Sequence, residues 1–133
     1  MDEKKPVIII GAGTIGKIAY DVFSANDVVV YGFIDDAELI GVQIDEASVL
    51  GTLDDDSLFD VIGKDCEVFI GSDENEYKKQ LLEDVKVKRQ AMPINAIHKE
   101  SNVSKTSFLG YGNLIAKGAS IGAFATIENH CII

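Results

Sequence analysis

The last part of the sequence carries aliphatic residues at every sixth position, and this spacing constrains the fold more than any other feature. The series runs Ile97, Val103, Leu109, Ile115, Ile121, Ile127 and Ile133. Four positions after each of the first six lies a compact residue: Ser101, Ser107, Asn113, Ala119, Ala125 and Cys131. A repeat of six matches neither an α-helix nor an amphipathic hairpin. It predicts a parallel β-helix, in which the aliphatic residues point inward and the compact residues turn the corners.

The preceding sequence alternates apolar runs with a helical pattern. Val7–Ile10 is a continuous apolar run, as expected for a parallel strand that is buried on both faces. A glycine-rich loop, residues 11–16, and a segment with helical spacing follow it. A second apolar run, residues 28–34, completes a β-α-β unit, and Val68–Ile70 adds a third strand. These runs predict a parallel sheet with Val7–Ile10 at its centre.

Shorter signals complete the predicted domain. Asp73 is a plausible N-cap for a helix over residues 74–85, and a strand near Ile94–Ile97 is expected to complete the sheet. The predicted fold class is therefore α/β. It comprises a small Rossmann-like domain at residues 1–95 and the first two coils of a β-helix at residues 96–133.

Charge and composition exclude several classes of function. The net charge of −10 argues against nucleic-acid binding, which needs an excess of Lys and Arg. No apolar run reaches 18 residues, so no membrane span is expected. The two cysteines, Cys66 and Cys131, lie far apart and in no ligand-like spacing. They predict ordinary thiols of a reduced cytoplasm and no metal site.

The strand ends supply the candidate binding residues. In the loop, Gly11 and Gly13 allow a tight turn and a close approach to a diphosphate, which the N-terminus of the next helix favours. Carboxylates that follow the second strand can accept hydrogen bonds from ribose or a base, because open α/β sheets bind ligands at this edge. The predicted substrate-binding set is Gly11, Gly13, Thr14, Ile15, Gly16, Asp35, Asp36, Ser72 and Asp73.

These landmarks together resemble the sugar-nucleotide acyltransferases of the NeuD/PglD type. The resemblance rests on the glycine loop and on four later segments that occur in the same order, namely Gly32-Phe33-Ile34-Asp35-Asp36, Val49-Leu50-Gly51, Ile70-Gly71-Ser72-Asp73 and Ile97-His98-Lys99. Hexapeptide repeats follow directly. The resemblance implies a left-handed β-helix that forms homotrimers and binds acetyl-CoA between subunits. It also implies an N-terminal domain that holds a UDP-linked amino sugar.

The activity that this resemblance implies is acetyl transfer from acetyl-CoA to an amino or hydroxyl group of a nucleotide-activated sugar, for surface glycan or polysaccharide biosynthesis. Such a reaction needs a general base, and a histidine oriented by a carboxylate is suited to that role. His130, within Glu128-Asn129-His130-Cys131, is the candidate in this sequence. Matching Ile121-Gly122 to the family's Ile-Gly step instead places the base about two positions beyond Ile133. The other histidine, His98, is expected to have a packing and hydrogen-bonding role.

Two alternatives remain open from the sequence. Asp35 lies 19 positions after Gly16, close to the spacing at which an acidic residue contacts ribose in NAD(P)-type dinucleotide-binding domains. The third reading is a non-catalytic module that binds a nucleotide sugar and uses its β-helix to trimerise. That reading applies if the protein ends at Ile133, because two coils offer little of an acetyl-CoA site. The family reading also predicts that the 133 residues alone are a poor acetyltransferase.

Overall fold

The computed structural model describes residues 5–133, and residues 1–4 of the predicted N-terminal domain lie outside that range. The helices are α1 Thr14–Ala25, α2 Asp56–Phe59 and α3 Asn75–Arg89, and a 3-10 turn covers Ala37–Leu39. The first five strands are β1 Val7–Ile10, β2 Val30–Ile34, β3 Gln43–Ile44, β4 Ala47–Gly51 and β5 Glu67–Ile70. The remaining strands are β6 Ala96–Ile97, β7 Asn102–Val103, β8 Phe108–Leu109, β9 Leu114–Ile115, β10 Ser120–Ile121 and β11 Thr126–Ile127.

The first five strands form one sheet in the order β3-β4-β2-β1-β5. All of its pairings are parallel except that between β3 and β4. Every residue of β1 is buried, because helices cover both faces of the sheet. Val7 and Ile9 pack on the α1 side, whereas Ile8 and Ile10 pack with residues of α2 and α3. Val7–Ile10 was predicted to be central; it is an interior strand between β2 and β5, but the middle position of the five belongs to β2.

The stride-six segment forms a parallel β-helix whose coil contains 18 residues. Its strand pairs join Ala96 to Leu114, Asn102 to Ser120, and Phe108 to Thr126, each offset by 18 positions. In five of the six strands the second residue, which belongs to the aliphatic series, is less exposed than the first. The predicted fold class, a Rossmann-like sheet followed by a β-helix, is therefore confirmed.

Two local predictions were wrong. The strand at Ala96–Ile97 does not complete the sheet, because it pairs with β9 in the β-helix. Ile94, just before it, donates a backbone hydrogen bond to the sheet, to the carbonyl oxygen of Val68 at 2.9 Å. Helix α3 begins after Glu74 and runs on to Arg89, so Asp73 lies outside its capping position.

The sheet and the coils share a hydrophobic core. Ala96 and Leu114 from the coils pack in the same cluster as Ile9, Phe33 and other residues on the α1 side of the sheet. The division into residues 1–95 and 96–133 therefore stays a proposal. Among residues 5–133, no helix is long and apolar enough to cross a membrane.

Candidate functional site

Three glycines bring the ends of β1 and β5 against the start of α1. A Cβ atom at Gly16 would overlap the carbonyl oxygen of Gly11, and one at Gly71 would lie 2.8 Å from the Cα of Gly16. Gly11 has a φ of +112°, a conformation that glycine adopts without strain. These glycines therefore serve backbone packing first, and that packing creates the floor of the candidate site.

A cleft of about 400 Å³ opens above this floor at the carboxyl ends of β1, β2 and β5. Most of the predicted binding residues meet there. The cleft is lined by Gly11, Gly13, Thr14, Asp35, Asp36, Gly71, Ser72, Asp73, Glu74 and Tyr77. Two predicted residues do not line it, since Ile15 packs against the core and Gly16 is buried in the glycine contact.

The N-terminus of α1 faces the cleft without a capping side chain. Gly13 is the N-cap residue, no side chain bonds to the cap, and no acidic residue lies in the first turn. A Cβ atom at Gly13 would meet nothing within 4 Å. The first N–H groups of a helix have no partner within the helix and carry partial positive charge. This end of the cleft is therefore suited to an anionic group.

Asp35 fixes the glycine loop. Its Oδ2 accepts a hydrogen bond from the backbone N–H of Ala12 at 2.7 Å, and its Oδ1 accepts one from that of Asp36 at 2.7 Å. The sequence predicted Asp35 as an acceptor for a ligand. The structure adds a positioning role, because both oxygens already hold backbone atoms of the cleft. Asp36 is exposed and lines the cleft beside it.

The end of β5 contributes a turn held by Ser72. The Ser72 hydroxyl accepts a hydrogen bond from the backbone N–H of Glu74 at 3.1 Å. This bond orders the residues that lead into α3. Asp73 and Glu74 are exposed, and both line the cleft.

Sequence reasoning missed Tyr77, Glu74 and Gly71. Tyr77, in the first turn of α3, lies between this cleft and an adjoining one that Asp35, Asp36, Thr52 and Asp54 also line. Burial raises the pKa of its hydroxyl, as do the nearby carboxylates, so the hydroxyl is a donor at neutral pH. The sequence offered one signal, an aromatic residue shortly after Ser72 and Asp73.

The cleft is acidic. Four carboxylates line it, from Asp35, Asp36, Asp73 and Glu74, and no Lys or Arg does so among residues 5–133. The same part of the chain holds no group of three or more His, Cys, Asp or Glu side chains that could bind a metal. The cleft therefore presents backbone donors at the α1 end, and around the rest it presents carboxylate acceptors together with the Tyr77 hydroxyl.

His130 lies elsewhere. It lines a second cavity, of about 370 Å³, together with Asn129 and residues of α3. Its ring packs edge-to-face on Tyr111 with centroids 5.5 Å apart. Both ring nitrogens are buried and have no hydrogen-bond partner among residues 5–133. Burial lowers its pKa, and the charge of Lys78 lowers it further. The structure thus does not bring His130 to the glycine-loop cleft, and its predicted catalytic role stays a prediction.

His98 has the structural role that the sequence indicated. It is buried, and its Nδ1 accepts a hydrogen bond from the backbone N–H of Glu100 at 2.9 Å. The neighbouring junction is held by Asn26, which bonds to the carbonyl of Ile97 and to the N–H of Lys99. These contacts join α1 to the first coil.

The family is decided by residues 6–85, which match the PglD N-terminal domain. This match covers 80 of the 133 residues, more than half of the chain. The chain belongs to the PglD N-terminal domain family. The resemblance to NeuD/PglD-type proteins is thereby confirmed. None of the curated proteins compared with this PglD-family chain matches it.

Solved acetyltransferase structures have similar folds. One is a mutant of perosamine N-acetyltransferase from Caulobacter crescentus in complex with CoA and GDP-perosamine, with 25% identity and a TM-score of 0.79. Another is the acetyltransferase domain of PglB from Neisseria gonorrhoeae in complex with acetyl coenzyme A, with 20% identity and a TM-score of 0.83. The matches cover 96% and 98% of this PglD-family chain, but only 59% and 62% of the respective structures' chains.

Proposed function

We propose that this chain acts in a cytoplasmic sugar acetyltransferase. The acetyl group passes from acetyl-CoA to an amino or hydroxyl group of a nucleotide-linked sugar used for surface glycan or polysaccharide biosynthesis. The proposed acceptor is a UDP-linked amino sugar or a related nucleotide sugar. The related perosamine enzyme was solved with a GDP-linked amino sugar and CoA, which supports this substrate class.

The observation that carries the proposal is the division of the cleft into a donor end and an acceptor end. The uncapped N-terminus of α1 offers N–H groups to a diphosphate at Gly13 and Thr14. The carboxylates of Asp36, Asp73 and Glu74 accept hydrogen bonds from ribose and sugar hydroxyls and from an amino group. An amino sugar linked through a diphosphate matches both ends.

The β-helix supplies the proposed surface for acetyl-CoA and for trimer formation. Phe108 and Phe124 are 61% and 80% exposed. Phe108 pairs with Thr126, two positions after Phe124, so the two aromatic residues lie on neighbouring coils. Large exposed aromatic groups that lie together are typical of surfaces that a partner or ligand covers. We propose that neighbouring subunits and the coenzyme cover them.

Gly13 allows a direct test of the diphosphate site. Asp and Ser are both favoured N-cap residues, and a Cβ at this position meets no atom within 4 Å. Both Gly13→Asp and Gly13→Ser should therefore fold with at least wild-type stability in urea unfolding. Only Gly13→Asp places a negative charge beside the diphosphate. We expect it to weaken binding of UDP or GDP about tenfold or more relative to Gly13→Ser, measured by calorimetry.

The affinity for NAD is measured in the same way and compared with the affinities for UDP and GDP. A preference for NAD over both UDP and GDP would favour the dinucleotide-binding alternative. If Gly13→Asp and Gly13→Ser bind the nucleotide with equal affinity, the diphosphate does not bind at the N-terminus of α1. Acetyl-CoA turnover with a nucleotide-linked amino sugar then tests the transfer reaction.

A further inference from the structure

The cavity beside His130 contains a buried cation that its surroundings do not neutralise. Lys78, on α3, is only 7% exposed. Its Nζ donates one hydrogen bond, to the backbone carbonyl oxygen of His130 at 3.2 Å. An ammonium group has three donors, so one neutral acceptor leaves it under-satisfied. Within residues 5–133, the ion pairs are Arg89 with Asp60 and Lys117 with Glu100, and Lys78 forms none.

Such a group is costly in a folded protein. A charged side chain that is removed from water destabilises the fold unless a counter-charge and hydrogen bonds compensate it. Burial lowers the pKa of Lys78, and the charges of Asp73 and Cys131 only partly oppose this effect. The structure therefore contains a cation in a place where stability alone does not favour one.

The rest of the cavity is also rich in hydrogen-bond donors. Lys79 and the amides of Asn75 and Asn129 line it, and the single carboxylate in its lining belongs to the exposed Glu76. His130 lines it too, and neither ring nitrogen has a partner among the described residues. The cavity is thus a cationic, donor-rich pocket on a chain whose net charge is −10.

The backbone shapes the position of the imidazole. His130 has a φ of +57°, which is uncommon for a residue other than glycine. Gly112 makes room for its ring, since a Cβ atom there would lie 2.5 Å from Nδ1. Tyr111 packs against the ring from the corresponding corner of the preceding coil. The imidazole is therefore held in place beside the buried ammonium.

We propose that this cavity is a binding site for a small oxyanion, a phosphate or a carboxylate group. The ammonium of Lys78 supplies the charge, and His130 and the amides supply further donors. An oxyanion has several acceptor lone pairs and a negative charge, whereas the described residues give the Lys78 ammonium one carbonyl oxygen and no ion pair. This site is separate from the glycine-loop cleft, so its occupancy does not depend on the proposed nucleotide-sugar function.

Thermal unfolding at constant ionic strength tests the site. Inorganic phosphate and acetate are titrated separately, with chloride as the reference anion. At about ten times its Kd, the bound anion should raise the unfolding midpoint by about 4 °C. The anion that gives the larger shift identifies the preferred group. We expect a Kd of about 1 mM, so each anion is titrated up to about 100 mM. If neither anion raises the midpoint beyond its value in chloride, the proposal is overturned.

Two matched variants localise the effect. Lys78→Met removes the buried charge and keeps most of the side-chain volume, and it should abolish the anion-dependent shift. Lys86→Met makes the same change at an exposed position of α3 and should leave the shift intact. A full anion-dependent shift in Lys78→Met would show that the anion binds elsewhere and would overturn the proposal.

Nuclear magnetic resonance of the wild-type protein gives a test that does not depend on a variant folding. The chain has two histidines, so the ring protons of His130 and His98 can be followed individually. Phosphate or acetate should shift the His130 signals and raise the His130 pKa, because the anion stabilises the imidazolium. The His98 signals should move much less. Equal movement of both, or of neither, would contradict a site at His130.

Discussion

Helix α3 separates two cavities of opposite character. Tyr77, with Glu74 just before the helix, lines an acidic cleft, whereas Lys78 and Lys79 line a cavity that is rich in donors. The acidic cleft obtains its donors from backbone N–H groups at a helix terminus. The other cavity obtains them from side chains, one of which is a buried ammonium. Affinity for anions therefore need not follow the sign of the nearby side-chain charges.

The two cavities also differ in what holds them together. The acidic cleft depends on backbone packing among Gly11, Gly16 and Gly71, where side chains are excluded by contact. The cavity at His130 depends on side chains from α3 and from the last coil. Backbone packing tolerates no added atom, whereas side chains can adjust. This difference predicts which substitutions act on the whole fold and which act on one cavity.

The largest expected effect is that of Gly16→Ala. Its Cβ would overlap the Gly11 carbonyl oxygen, so α1 must move away from β1 and β5. We expect a loss of about 3 kcal/mol or more in the free energy of unfolding, measured in urea. Gly13→Ala is the control, since its Cβ would meet nothing within 4 Å, and it should stay within about 1 kcal/mol of wild type. Equal stability of the two variants would show that the glycine contact does not hold the cleft.

The glycine loop also shows what the sequence could predict. The strand-loop-helix order follows from apolar periodicity, and the stride of six follows from the geometry of a β-helix coil, so both were predictable. Which glycine packs against backbone and which one faces the cleft was not predictable. Gly16 and Gly13 look alike in the motif, yet one is buried against backbone and the other is open. Contacts with the carbonyl oxygen of Gly11 and with Gly71, 55 positions after Gly16, distinguish them.

The side chains of α3 were harder still to predict. Lys78 looks like one of several solvated lysines in the helix, and only its spacing from Leu81 and Val85 places it on the apolar face. Its burial arises because the corner at His130 packs over the helix from a position 52 residues away. The strand near Ile97 was misassigned for a related reason. It pairs with β9 because the β-helix coil repeats every 18 residues, and its own apolar residues do not reveal that partner.

An intermediate effect is expected at Tyr77, which adjoins both parts of the acidic cleft. If its ring stacks on the nucleobase, Tyr77→Ala should weaken UDP or GDP binding about tenfold, since base–aromatic stacking contributes about 1–3 kcal/mol. Tyr77→Phe keeps the ring and should change the affinity about twofold at most. Calorimetry of both variants separates the ring from the hydroxyl. If Tyr77→Phe instead weakens nucleotide binding by more than about twofold, the contact belongs to the hydroxyl.

Neither variant should alter the anion response of the cavity at His130. Tyr77 is exposed by 41% and lines the acidic cleft and its neighbour, whereas the anion site lies with Lys78. The phosphate-dependent shift in the unfolding midpoint is the measurement. A Tyr77→Ala protein that loses it would show that the two cavities are coupled through α3.

The smallest expected effect is a pH dependence from His130. Its pKa in the folded protein lies below the ordinary 6.5, because burial and Lys78 disfavour the imidazolium. The unfolded chain therefore binds this proton more readily. The stability associated with the neutral ring is complete above about pH 6.5 and is lost as the pH falls through the folded pKa. Lys78, Lys79 and Glu76 of α3 are the charged groups that line the same cavity.

One proton contributes at most about 1.4 kcal/mol per pH unit to this slope. His130→Asn should remove that contribution, and asparagine tolerates the positive φ of this position. Urea unfolding of both proteins between about pH 5 and 7, in buffers without phosphate or carboxylate, measures the difference. Added phosphate should reduce the wild-type slope, because a bound anion favours the imidazolium. Identical slopes for wild type and His130→Asn would show that His130 titrates as a solvated histidine, and the contrast between the two cavities would then rest on Lys78 alone.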